Sequence, residues 1–233
     1  MLPSWKIDLL DWAATTIQAI PDKDTEGFVI PDEPSRETFR LASEALRNHQ
    51  LGEAVLRAQE VEYQVVEIID TGDGDAPIYA LLPASWTPTD ATGGHGRGMF
   101  FLRDDKDVNK YLAMSSPHPR FDSYSGLVAT NAFRQTRARS LAVAGTHRCA
   151  NKQQSECSGT TSVCGYSTYR ESDMAHMDRG FFQVFHEVMD ADDNATIQHI
   201  QVHGFASAND DPEFTLSAGT SKNVDDPNFT PNL

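Results

Sequence analysis

From residue 98 onward, short apolar stretches alternate with segments of helical periodicity, which restricts the chain to an α/β sheet covered by helices. Gly98–Leu102, Tyr111–Ser115, Ser140–Gly145 and Thr196–His203 read as strands, and Glu213–Ser217 as a further one. Ser125–Ala138 reads as a helix, and so does Arg179–Met189, which carries Phe181, Phe182, Phe185 and Val188 and takes Asp178 as its N-cap. The pattern predicts a mixed, largely parallel sheet with helices on both faces, because parallel strands are joined by crossovers that cover the sheet.

Residues 1–97 follow a different pattern and read as a helical and hairpin extension packed on a core of residues 98–233. Ile7–Ile20 forms a first helix. Ser35 caps a second, with Phe39, Ala42, Ala45 and Leu46 at helical spacing, and Gly52–Gln59 a third. Tyr63–Ile69 and Ile78–Leu82 are strands joined by the turn-rich Asp70-Thr-Gly-Asp-Gly-Asp75. The acids of that turn suggest calcium, but they lack the twelve-residue spacing and final Glu of an EF-hand, so a hairpin turn is the better reading. Thr87–Gly98 is a loop with His95 solvated.

Charge removes several classes of function. With 19 basic and 34 acidic residues the formal net charge is −15, the wrong sign for a protein that neutralises a phosphate backbone, so nucleic acid is not expected as a partner. No run of 18 apolar residues offers a membrane span, and the opening MLPSWKIDLLDW has acids where a secretory signal has a basic head. The chain reads as soluble. Cys149, Cys157 and Cys164 lack Cys-x-x-Cys spacing. A Cys157–Cys164 disulfide would place the chain in an oxidising compartment, secreted or periplasmic; three thiols in a cytosolic protein is the other reading.

In open α/β sheets, ligands bind beyond the carboxyl ends of the strands. There the sequence places Ser116-Pro-His-Pro-Arg-Phe-Asp122, then Thr146-His-Arg-Cys-Ala-Asn151, then His203-Gly-Phe205. Three of the eight histidines, His118, His147 and His203, thus sit at strand ends. His118 and Asp122 reach one point from one loop, and His203 adds a ligand from another strand. Two imidazoles and a carboxylate with an open fourth position form the ligand set of a catalytic zinc site.

The order Pro117-His118-x-x-x-Asp122, His147-Arg148 and Val202-His203-Gly204 resembles the zinc-carboxypeptidase-like superfamily, in the style of the N-formylglutamate amidohydrolases and phage poly-γ-glutamate hydrolases. The resemblance covers about residues 98–220. It implies zinc held by His118, Asp122 and His203, with Asp122 in place of the usual Glu and one residue further along. It also implies that Arg148 grips a substrate carboxylate, with His147 where the family has Asn. A carboxylate general base is implied on a later strand, where Glu213 is the candidate and Asp210 and Asp211 compete.

Asp173 and His176, in Tyr169-Arg-Glu-Ser-Asp-Met-Ala-His176, suit substrate contact, a pair behind the metal ligands, a second metal, or a proton donor to the leaving group. His186 reads as a hydrogen-bonded structural histidine, and His199, mid-strand, is not taken as a ligand. No Gly-x-Ser-x-Gly elbow is present, and adjacency of Cys149 to His147-Arg148 does not make a catalytic pair. The expected activity is zinc-dependent hydrolysis of an amide bond in a small or peptide substrate bearing a free carboxylate. A metal-dependent phosphoesterase and a non-catalytic metal-binding domain of the same fold are the alternatives.

Overall fold

The computed structural model of the chain describes residues 2–74, 77–105, 107–191 and 197–204. In chain order the elements are β1 (Ser4–Ile7), α1 (Leu9–Ala19), α2 (Glu33–Arg47), α3 (Leu51–Glu60), β2 (Tyr63–Asp70), β3 (Pro77–Pro83), β4 (Met99–Arg103) and β5 (Asn109–Ser116). Then come α4 (Ser125–Thr136), β6 (Ala138–Val143), the short β7 (Thr160–Thr161), the single turn α5 (Val163–Tyr166), β8 (Ser167–Thr168), α6 (Phe181–Asp190) and β9 (Gln198–Gln201).

Seven strands form one sheet in the order β1-β2-β3-β4-β6-β5-β9. The pairs β1–β2, β5–β6 and β5–β9 are parallel, while β2–β3, β3–β4 and β4–β6 are antiparallel. The sheet is therefore evenly mixed, which corrects the largely parallel expectation. The reason is local: β2, β3 and β4 succeed one another as a meander, which needs no crossover helix. Residues 1–97 supply β1, β2 and β3 to this same sheet, so they continue it across the β3–β4 ladder.

Alternation along the strands sends neighbouring side chains to opposite cores. Phe100 packs with Phe39, Tyr63, Phe181 and Phe185 under α2, α3 and α6. Phe101 packs with Trp12, Ile17, Trp86 and Phe133 under α1 and α4. Helices thus cover both faces. Across the first core, Phe39 lies 5.2 Å from Phe100 and 4.6 Å from Phe181 by ring centroids, and Phe100 lies 5.0 Å from Phe185.

Several boundaries differ from the sequence reading. Residues 4–7 are an edge strand rather than the approach to a helix, and Asp8 caps α1 by accepting from the Leu10 and Asp11 amides. Asp32, not Ser35, caps α2, accepting from the Ser35 amide with Pro34 in the first turn. Helix α6 begins two residues beyond Asp178, with Gly180 at the N-cap. The acidic turn after β2 is filled by arginines: Arg134 bonds both Asp70 oxygens at 2.9 and 3.0 Å, and Arg103 reaches Asp73 at 2.5 Å. Those cations occupy Asp70 and Asp73, two of the carboxylates that a calcium ion would need, and Asp75 lies outside the described residues. Among the described residues no helix is long and apolar enough to cross a membrane. The expected strand at Glu213–Ser217 lies outside the described residues.

Candidate metal centre

Parallel strands β6, β5 and β9 end on the same side of the sheet. Their ends carry Thr146–Arg148, Pro117–Asp122 and His203 to one place. Gly145 permits the first of these turns, since a Cβ there would lie 1.8 Å from the Arg97 carbonyl oxygen. The His118 loop is closed by its own backbone, with the Asp122 amide donating to the His118 carbonyl at 2.9 Å and the Ser125 amide to that of Asp122 at 3.1 Å. Arg120 fastens the loop to the end of α1 by donating to the Gln18 and Ile20 carbonyls.

His118, Asp122 and His203 converge, with one ligand atom from each inside a span of 4.8 Å. Asp122 Oδ2 lies 3.3 Å from His118 Nδ1 and 3.4 Å from His203 Nδ1. The far nitrogen of each ring is occupied: His118 Nε2–H donates to Asp173 Oδ1 at 2.7 Å, and His203 Nε2–H to Gln201 Oε1 at 2.8 Å. Both rings therefore keep Nδ1 for the side on which Asp122 sits. His118 and Asp122 are buried and His203 is exposed, so the group opens on one side.

Asp173 is the hub behind these ligands. Its Oδ2 accepts from Arg148 Nε at 3.1 Å and Nη2 at 2.6 Å, and its Oδ1 is shared by His118 and His176 Nδ1, the latter at 3.1 Å. Burial raises the Asp173 carboxyl's proton affinity, but hydrogen bonds from His118 and His176, with the charges of His118 and Arg148, outweigh it and hold the group ionised far below its usual range. At Asp122 burial is likewise outweighed by His118, His203 and the Gly204 amide, which keep that carboxyl low. Burial alone would depress His118, yet its bonds to Asp122 and Asp173 raise it.

The sequence places Arg148 at a substrate carboxylate; the structure engages its guanidinium with Asp173 and rests it 5.3 Å from the Phe121 ring centre. His147 accepts the Cys149 amide at Nδ1, 2.9 Å away, so its proton is on Nε2, and burial lowers its affinity for a second one. His147 is then a neutral donor beside Arg148. His176 is half-buried and stacks on Tyr169 at 3.5 Å between centroids and 7° between planes. Tyr169 escapes sequence reasoning because no periodicity relates residues seven apart in a loop. Glu213, with its competitors Asp210 and Asp211, lies outside the described residues. His186 donates from Nδ1 to the Phe182 carbonyl at 2.7 Å, the structural role read from sequence. His199 pairs with Asp190 at 3.4 Å and is not part of the ligand group.

The disulfide joins Cys149 to Cys164, with Cα atoms 5.5 Å apart, and leaves Cys157 as an exposed thiol. This corrects both open readings, a Cys157–Cys164 bridge and three free thiols. Arg170 explains the choice, since its guanidinium donates to the carbonyls of both Cys149 and Cys164 and draws the two segments together. Elsewhere, a groove of about 610 Å³ lies between α1 and residues 88–92. Comparison with protein-family models, curated proteins and solved structures finds no match to this chain.

Proposed function

We propose that the protein is a zinc-dependent hydrolase of amide bonds in carboxylate-bearing substrates, with His118, Asp122 and His203 as the ligands. One observation carries this reading: Asp122 Oδ2 stands 3.3 and 3.4 Å from the two histidine Nδ1 atoms. Ligands about 2.0–2.1 Å from a tetrahedral zinc are separated by about 3.3–3.4 Å. Two of the three donor pairs thus have the spacing the ion needs, the third lies within the 4.8 Å span of the group, and each histidine has its other nitrogen tied to an oxygen, as metal-bound imidazoles do. Bound there, zinc supplies Lewis acidity, acidifying water and polarising a carbonyl.

The protein's own groups supply the rest. Asp173, held ionised by Arg148, fixes the His118 ring and its tautomer. The same carboxylate accepts from His176 Nδ1, which leaves His176 Nε2 to take a proton from the attacking water and return it to the leaving amine nitrogen. His147 Nε2–H and Arg148 Nη1, the guanidinium nitrogen not turned to Asp173, are the donors for the substrate carboxylate. Among the described residues the His118 group alone gathers three such ligands, which favours one metal over the two expected of a phosphoesterase. The test is release of free amine from N-acylated amino acids with zinc supplied. Hydrolysis abolished by chelator and by His118→Ala supports the reading; no hydrolysis of any acylated or γ-linked substrate by zinc-loaded protein overturns it in favour of a non-catalytic domain.

A further inference from the structure

We propose that Tyr169 is a positioning residue for His176, fixing the ring so that Nδ1 stays on Asp173 and Nε2 faces the reacting groups. Two features of its surroundings carry this. The Tyr169 ring lies 3.5 Å from His176 and within 7° of parallel, a full face-to-face overlap. In addition, Gly159 leaves room for Tyr169: a Cβ at 159 would meet Tyr169 Cε2 at 3.0 Å, and its φ of +120° lies in a region that side chains rarely enter. Tyr169 is therefore stacked on the imidazole, in a place that a side chain at 159 would crowd.

Gly159 lies within the loop closed by Cys149–Cys164, and Tyr169 follows five residues after Cys164. The Ser155 amide donates to the Tyr169 carbonyl at 2.9 Å, the Glu171 amide to that of Gln153 at 3.0 Å, and Arg170 binds carbonyls at both ends of the disulfide. Residues 153–155 and 169–171 thus run side by side, and the sulfur bridge anchors the strip that carries Tyr169. A hydrogen bond to Asp173 alone lets an imidazole rock about its Cβ–Cγ bond. A parallel ring in contact with its face removes that motion.

The catalytic consequence rests on the hydrolase reading, whereas the ring geometry does not, so the test has two separate readouts. Heteronuclear NMR of the histidine side chains is recorded for wild type, Tyr169→Phe, Tyr169→Leu and Gly159→Ala without metal. Zinc content and steady-state hydrolysis of N-formylglutamate follow. We expect Tyr169→Phe to retain the ring-current shift and the Nδ1 proton of His176, and Tyr169→Leu to lose both. Gly159→Ala, which leaves both rings present but displaces one, should shift the same signals. Zinc content should match wild type throughout. In Tyr169→Leu, kcat should fall about ten- to a hundredfold with KM nearly unchanged, and adding the substitution to His176→Ala should cost nothing further. Unchanged His176 signals in Tyr169→Leu and Gly159→Ala, or additive losses of kcat, overturn the proposal. Absent zinc or absent hydrolysis counts against the hydrolase reading alone, because the His176 signals still decide the stacking.

Discussion

Asp173 concentrates more of the site's chemistry than any proposed ligand, since one carboxylate holds His118, His176 and Arg148. Asp173→Asn keeps the shape but removes the charge that orients His118. Zinc affinity, measured by competition with a chelating dye, should weaken about 10- to 100-fold, and an unchanged affinity would show that the carboxylate does not act on the metal site. A second residue-scale consequence concerns His186, whose burial depresses its pKa to about 4 from an ordinary 6.5. Between those values the unfolded chain binds the proton and the folded protein does not. Stability is therefore complete above pH 6.5 and declines as the pH falls toward 4, by on the order of 2 kcal/mol after allowing for partial exposure of the ring. Urea unfolding of His186→Gln should show a flatter pH profile than wild type across that interval.

At the scale of elements, the site depends on loops that sequence pattern describes least. The strands are legible because β2, β3, β4 and β6 are apolar or alternating runs, and their observed limits fall within one or two residues of those read from the sequence. Strand β1 is not legible: four edge residues give too little alternation to separate from the helix that follows. The disulfide is not legible either: the sequence leaves a Cys157–Cys164 bridge and three thiols both open, whereas the pair is Cys149–Cys164, with both carbonyls gathered on Arg170. Closing 15 residues restricts the unfolded chain, so the Cys149→Ser, Cys164→Ser double variant should lose about 3 kcal/mol in denaturant unfolding. A loss near zero would mean the bridge does not constrain the loop. Gly145→Ala tests the turn after β6 more sharply. Its Cβ has no room beside Arg97, and a cost above about 2 kcal/mol is expected, read as a lowered urea midpoint.

Across the whole molecule, a net charge of −15 surrounds a site built from arginine, histidine and ionised carboxylates. The arginines around it are matched by specific acids, Arg120 by Asp22, Arg148 by Asp173 and Arg170 by Asp24. The convergence of His118, Asp122 and His203 was legible because a parallel pair of strands delivers its carboxyl ends to one side, and those residues follow strand ends directly. The partners behind them were only half legible. Asp173 and His176 stood out by chemistry, but the bond to His118 spans 55 positions and comes from a loop with no periodicity. The most direct measurement is metal content by elemental analysis of protein purified without chelator, alongside a His118→Ala, His203→Ala double variant. The account expects about one zinc per wild-type chain and none in the folded variant. Wild-type protein that holds no metal even after incubation with zinc would contradict it.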